Sequence, residues 1–214
     1  MKKISHLISV FVIASVLVLP QAAVLAATNS ASFAVVYNGY GTVAQASGVV
    51  NLIPMAATQP SETHAALVVS KQSVHQPFQL SYTMKTTQQL RTGSTPNPWE
   101  VGWFLFGYKS TGAFKYLVMK PDGYGFELGE SLLNNNQNFL YTSAFNQDLF
   151  PINTDYNVTV LARKNVVTVT VNGKKSLQYT LSSKDTLSLD GQYGFYTEDA
   201  AVQVSNIKMQ QLMK

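Results

Sequence analysis

The 214-residue chain contains no cysteine, so no disulfide framework holds it together and no lipidated cysteine anchors it. Charge is scarce: Asp, Glu, Lys and Arg make up 12% of the residues. That excludes the dense basic surface a nucleic-acid binder needs. There are three histidines; His6 falls in the N-terminal leader, and His64 and His75 have no partner at metal-ligand spacing. Gly-x-Ser-x-Gly is missing, which removes the nucleophile elbow of a serine hydrolase. Gly39-Tyr40-Gly41 does not open a βαβ unit, so a nucleotide site is not expected. No repeat of about 20 to 50 residues is visible, which argues against a propeller or solenoid. No segment carries a helical stripe.

What is present begins with an export leader. Lys2 and Lys3 precede an uncharged apolar stretch, 7–19, which breaks at Pro20 and reaches small residues at Ala26 and Ala27. This is the charged, apolar and small-residue order of a secretory signal. The stretch is shorter than the roughly 20 apolar residues of a membrane span. The expectation is a cleaved signal peptide, 1–26, and a single domain, 27–214, exported to the periplasm, the cell surface or the medium. Without Lys2 and Lys3 the net charge falls from +4 to +2. A surface rich in Ser, Thr, Asn, Gln and Tyr suits neutral ligands such as sugars, or packing against copies of itself.

Beyond the leader, apolar residues alternate with polar ones, the signature of half-buried strands. Strands are expected over 32–37, 48–53, 65–69, 78–86, 101–108, 114–120, 124–128, 138–143, 156–163, 166–171, 174–181, 191–197 and 202–211. Turn chemistry separates them at Asn38-Gly39, Pro96-Asn97-Pro98, Pro121-Asp122-Gly123 and Asn172-Gly173. The segments 87–98 and 132–138 read as exposed loops. The run Val166-Val167-Thr168-Val169-Thr170-Val171, followed by Asn172-Gly173 and Lys174-Lys175-Ser176-Leu177, is a tight hairpin and fixes antiparallel pairing. About a dozen short strands without helices imply two antiparallel sheets packed face to face. Asn157-Val158-Thr159 matches a glycosylation acceptor but falls inside a predicted strand.

Several motifs together carry a family resemblance. They are Asn97-Pro98-Trp99-Glu100 leading into 101–108, then Phe114-Lys115-Tyr116-Leu117-Val118-Met119-Lys120-Pro121-Asp122-Gly123, and Phe126-Glu127-Leu128-Gly129. The closing pattern is Gly191-Gln192-Tyr193-Gly194-Phe195-Tyr196-Thr197-Glu198-Asp199-Ala200 with Val204-Ser205-Asn206-Ile207. In this order the chain resembles the concanavalin A-like, laminin G-like jelly-roll superfamily, and most closely its 3-keto-disaccharide hydrolase-type branch. The resemblance covers about two-thirds of the chain and implies an all-β, two-sheet jelly-roll sandwich. The superfamily holds glycosidases, lyases, lectins and structural domains, so function must be read from the site. The Glu-x-Asp-x-x-Glu strand of laminarinase-type glycosidases is absent.

Strand parity selects the candidate residues. Within 114–120, Phe114, Tyr116, Val118 and Lys120 share one face, and Leu117 and Met119 take the other. With Leu117 facing the core, Tyr116 and Lys120 look outward beside Glu127. A saccharide site is expected from Glu100, Tyr116, Lys120, Glu127 and Glu198, with Trp99, Trp103 or Tyr124 stacking on sugar faces. The plainer alternative for Lys120 and Glu127 is an exposed cross-strand ion pair, worth under about 1 kcal/mol. The resemblance further implies a calcium ion at the sandwich rim, for which Glu198 and Asp199 are the candidates; adjacent acids in a loop are otherwise simply solvated. No catalytic constellation is visible and no cofactor is required. Three functions follow: a non-catalytic carbohydrate-binding or adhesion module, a glycoside-processing hydrolase or lyase using Glu100, Glu127 or Glu198, and a self-assembling extracellular matrix subunit.

Overall fold

In the computed structural model, residues 32–133, 136–183 and 185–213 are described; the expected signal peptide lies outside them. Alternating Val, Phe, Tyr and Thr produce fourteen strands and, among the described residues, no helix. They are β1 (Phe33–Tyr37), β2 (Thr42–Ala46), β3 (Val49–Ile53), β4 (Ala65–Ser70), β5 (Phe78–Gln89), β6 (Gly102–Ser110) and β7 (Ala113–Lys120). β8 (Gly125–Leu132), β9 (Asn136–Thr142), β10 (Tyr156–Arg163), β11 (Val166–Val171), β12 (Lys174–Thr180), β13 (Gln192–Glu198) and β14 (Ala200–Gln211) complete the chain.

The strands form two antiparallel seven-stranded sheets, ordered β1-β4-β13-β6-β7-β8-β9 and β12-β11-β10-β5-β14-β3-β2. The β11–β12 hairpin turns at Asn172 and Gly173, whose φ values of 49° and 78° are both left-handed, as its short turn requires. The main core lies between the sheets. Phe104, Phe106, Leu117, Met119, Phe126, Leu128 and Phe195 of the first sheet meet Leu52, Phe78, Leu80, Met84, Val158, Val160 and Val202 of the second. Burying each large apolar side chain there contributes about 1.5–3 kcal/mol.

A second cluster covers the other face of the first sheet: Leu67, Val69, Trp103, Leu105, Tyr108, Phe114, Tyr116 and Val118, with Tyr37 and Tyr196 packed against it. Leu67, Leu105 and Tyr116 are fully buried there although, among the described residues, no third layer covers them. Large rings on neighbouring strands close over one another, so the centre of this outer face is dry.

Three sequence expectations change. The segment 87–98 is not simply an exposed loop, because β5 runs on to Gln89 and Arg91 is buried. The segment 132–138 is shorter as a loop, since β8 extends to Leu132 and β9 begins at Asn136. β2 was not expected; it is an edge strand with four of its five residues exposed, and such a strand shows little hydrophobic alternation. Asn157 does lie within a strand, with its side-chain oxygen accepting a hydrogen bond from Thr83 Oγ1.

Candidate functional site

Register builds the site. Tyr116 of β7 pairs with Gly129 of β8, and Glu127 sits two residues earlier in β8 on the same face. A Cβ at Gly129 would lie 2.3 Å from the Tyr116 Cζ and hydroxyl oxygen. The absence of that one carbon lets the phenol ring lie across β8, where its hydroxyl donates to Glu127 Oε1 at 3.1 Å. Lys120, at the end of β7, donates from Nζ to Glu127 Oε2 at 2.5 Å. The two charged side chains are only 10% and 11% exposed. The plainer expectation of an exposed surface pair is therefore corrected: the neighbouring rings remove both groups from most of the solvent.

The aromatic arrangement continues across the sheet. The Trp103 ring packs on Tyr116 at 4.8 Å and on Tyr196 at 5.4 Å. Tyr196 pairs with Trp103 in register, and its hydroxyl donates to Glu198 Oε1. Three rings thus bridge two carboxyl groups, in the order Glu198, Tyr196, Trp103, Tyr116, Glu127. Each ring contact contributes about 0.5–1.5 kcal/mol beyond area burial. Burial, reinforced by the adjacent carboxylate, raises both tyrosine hydroxyls well above the ordinary phenol range and keeps them hydrogen-bond donors. Burial also raises the Glu198 carboxyl; the Tyr196 bond opposes the rise and the Asp199 and Glu100 carboxyls add to it.

Over this arc lies a cleft of about 550 Å³, lined by Pro98, Trp99, Trp103, Lys120, Tyr124, Glu127, Gln137, Phe139 and Glu198. Trp99, Tyr124 and Phe139 form an aromatic rim, exposed by 45%, 47% and 63%. Trp99 is held by its backbone, whose carbonyl accepts both the Trp103 indole N–H at 2.8 Å and the Val101 N–H at 2.8 Å. Phe145, 66% exposed, packs edge-on to Tyr124 at 5.6 Å and extends the apolar rim.

Of the expected residues, Trp99, Trp103, Lys120, Tyr124, Glu127 and Glu198 line the cleft, and Tyr116 lies beneath it. Glu100 does not reach it. The tight turn before β6, in which the Glu100 N–H donates to Asn97 O, directs this carboxylate into the interior. There it accepts from Arg91 Nε at 2.6 Å and from Asn97 Nδ2 at 2.7 Å. Asp199 is also buried: it accepts from the His64 N–H at 2.8 Å and from Arg91 Nη2 at 2.9 Å. At the left-handed turn between β13 and β14, with Asp199 φ at 44°, adjacent acids take opposite sides, Glu198 toward the cleft and Asp199 toward Arg91. Glu198 and Asp199 do not fit a shared calcium site, since both Asp199 oxygens are engaged. Among the described residues no group of three or more His, Asp or Glu is arranged around a cation.

Three features were missed from sequence. Arg91 binds Glu100, Asp199 and the carbonyls of Gln59, Pro60 and Glu62. Its two acidic partners are the chain neighbours of Trp99 and Glu198, so one buried guanidinium braces two walls of the cleft. Phe139 reaches the outer face because β9 is bulged between its pairings with Leu128 and Gly129, and strict alternation from Thr142 would turn it inward. At the other end of β7, the buried Lys115 Nζ donates to Glu130 Oε2 at 2.7 Å. Glu130 also accepts from Asn138 Nδ2 and the backbone N–H groups of Thr186 and Leu187, each at 3.0 Å. Burial pushes the Glu130 carboxyl up, but these donors outweigh it and hold it at about 2.

The sequence matches no family model and no curated protein. The fold is similar to solved structures. Carbohydrate-binding module CBM66 from Bacillus subtilis matches with a TM-score of 0.64 and 11% identity, over 86% of this chain and 98% of that one. The alginate lyase Aly36B matches with a TM-score of 0.52 and 12% identity, over 79% and 83% of the two chains. A Bacillus subtilis protein of unknown function with a galectin-like fold matches at 0.50 with 10% identity, over 79% and 86%. At these identities the likeness is one of architecture, and the chain is an all-β jelly-roll sandwich of two antiparallel seven-stranded sheets.

Proposed function

We propose that the protein is an exported, non-catalytic carbohydrate-binding module that holds a saccharide in the cleft over Trp103, at the cell surface or beyond it. The observation that carries this reading is the pairing of exposed aromatic faces with carboxylates fixed by tyrosine and lysine donors. Trp99, Tyr124 and Phe139 offer flat apolar surfaces to sugar C–H faces, while Glu127 and Glu198 accept from sugar hydroxyls. Beneath them Trp103, Tyr116 and Tyr196 are already packed on one another and lose little freedom on binding. The carbohydrate-binding module among the similar structures supports the same reading, and the order of charged, apolar and small residues in 1–26 supports export. Among the described residues no helix is long and apolar enough to cross a membrane.

A glycan array probed with the purified protein tests the proposal. Retention of one glycan class, weakened about tenfold by Trp99→Ala or Phe139→Ala, is expected; an array with no retained glycan overturns it. One observation favours a second reading, a hydrolase or lyase. The raised Glu198 carboxyl shares a cleft with Glu127, a division of roles suited to a general acid and a base. Release of reducing or unsaturated ends from the retained glycan, abolished in Glu198→Gln, would establish that reading over simple binding.

A further inference from the structure

We propose that the cleft selects uncharged saccharides and turns away polyuronates and other polyanionic glycans. The inference rests on the reading of the cleft as a saccharide site and adds the chemical class of its ligand.

Three charged side chains line the cleft among the described residues: Lys120, Glu127 and Glu198. Lys120 is the only cation, and its ammonium already sits 2.5 Å from Glu127 Oε2, with both side chains about nine-tenths buried. Recruiting it to a ligand carboxylate would leave Glu127 in a largely desolvated position with only the Tyr116 hydroxyl, a costly exchange. Glu198 has a hydrogen bond from Tyr196 but no cation within ion-pair distance among the described residues. The cleft therefore carries one carboxyl group in excess of its cations.

The layer behind the cleft does not compensate. Arg91 is the nearest guanidinium, and every one of its nitrogens is engaged: Nε with Glu100, Nη1 with the carbonyls of Gln59 and Pro60, Nη2 with Glu62 O and Asp199. Two buried carboxyls face Arg91, and even a proton on the His64 ring, 3.7 Å from Asp199, would bring that group only to neutrality, so the field reaching the cleft from behind is not positive. A uronate entering would set its carboxylate against Glu198 with no free donor cation to receive it, in a site where rings exclude much of the solvent and weaken screening. A neutral sugar meets none of this repulsion, and its hydroxyls donate to the remaining lone pairs of Glu127 and Glu198. Two acceptors and a spent lysine, with only the neutral Gln137 amide and Tyr124 hydroxyl as further polar groups and aromatic faces around them, match hydroxyl groups and offer a carboxylate no free positive charge.

The test uses matched polymers: pectate, alginate and hyaluronan, each beside its carboxyl-reduced neutral counterpart, in affinity electrophoresis and calorimetry with the full protein and with Glu198→Gln. Wherever a backbone is bound, the neutral form is expected to bind at least tenfold tighter. Glu198→Gln should narrow that ratio several-fold, and added salt should narrow it in the wild type. Polyuronates that bind as tightly as their reduced forms, or a ratio unmoved by Glu198→Gln, overturn the inference while leaving saccharide binding intact. If neither these pairs nor the glycan array yields a bound saccharide, the underlying reading fails and this inference with it.

Discussion

Replacing Arg91 with Met keeps approximate volume and removes the charge that joins the interior to the cleft. The side chain is 2% exposed and serves two buried carboxylates at 2.6 and 2.9 Å, besides three backbone carbonyls. Deleting one partner of a buried ion pair costs about 3–5 kcal/mol, because the other is left uncompensated. Here two carboxylates lose their partner, while Asn97 Nδ2 and the His64 N–H still serve them and limit the loss. For a domain of this size, 1 kcal/mol corresponds to roughly 2–4 °C, so a fall in Tm of about 6–20 °C follows. Thermal and urea unfolding followed by near-ultraviolet circular dichroism measure it. Arg91→Lys, which keeps a charge but loses the forked geometry, should fall between. Glu100 and Asp199 adjoin Trp99 and Glu198, so saccharide affinity should also drop at temperatures where the variant is folded. A loss under about 1 kcal/mol, or full stability loss with unchanged affinity of the folded fraction, would refute the bracing role.

Other outcomes follow from the same geometry. Gly129→Ala places a carbon where the Tyr116 ring lies; it should destabilise by about 1–3 kcal/mol and weaken binding, and an unchanged urea midpoint and affinity would contradict the packing. Glu130 is held at about 2 in the folded protein, below the ordinary 4.5. Its stabilisation is present above pH 4.5 and is lost as pH falls toward 2. Glu130→Gln should therefore flatten the acid limb of a stability–pH curve, and an unaltered limb would contradict this. Glu198 is shifted the other way: the folded protein holds its proton longer than the unfolded chain, so stability declines as pH rises through its raised pKa. Glu198→Gln should then raise the neutral-pH midpoint but not the acidic one, a gain in stability at the expense of the site. An equal or lower midpoint at neutral pH would count against it.

Much of the framework is legible in alternation alone. Period-two patterning locates every strand except the exposed edge strand β2, and places Leu117 and Met119 inside with Phe114, Tyr116 and Lys120 outside. Parity serves as long as the backbone stays regular. It fails for Glu100, which sits on a turn rather than a strand, and for Phe139, whose face is set by a bulge. The left-handed turn at Asp199 likewise separates two adjacent acids that sequence treats as a pair. Arg91 is the hardest to foresee. In a Thr-, Gly-, Ser- and Pro-rich segment a lone arginine reads as solvated, and its burial follows only from the distant segments at 59–62 and Asp199 meeting it beside Glu100. Burial of the Lys120 and Glu127 pair has the same origin, since long-range ring packing is not written in local spacing.

The chain has two tryptophans, and both belong to the cleft: Trp99 on its rim and Trp103 in the ring arc, linked by the hydrogen bond from the Trp103 indole to Trp99 O. Their two indole N–H signals in a nitrogen–proton correlation spectrum report directly on the site during titration with a neutral oligosaccharide retained by the protein. Saturable shifts of both signals, with one apparent Kd and diminished in Phe139→Ala, are predicted. A saccharide that binds while both indole signals stay in place would contradict the assignment of the cleft as its site.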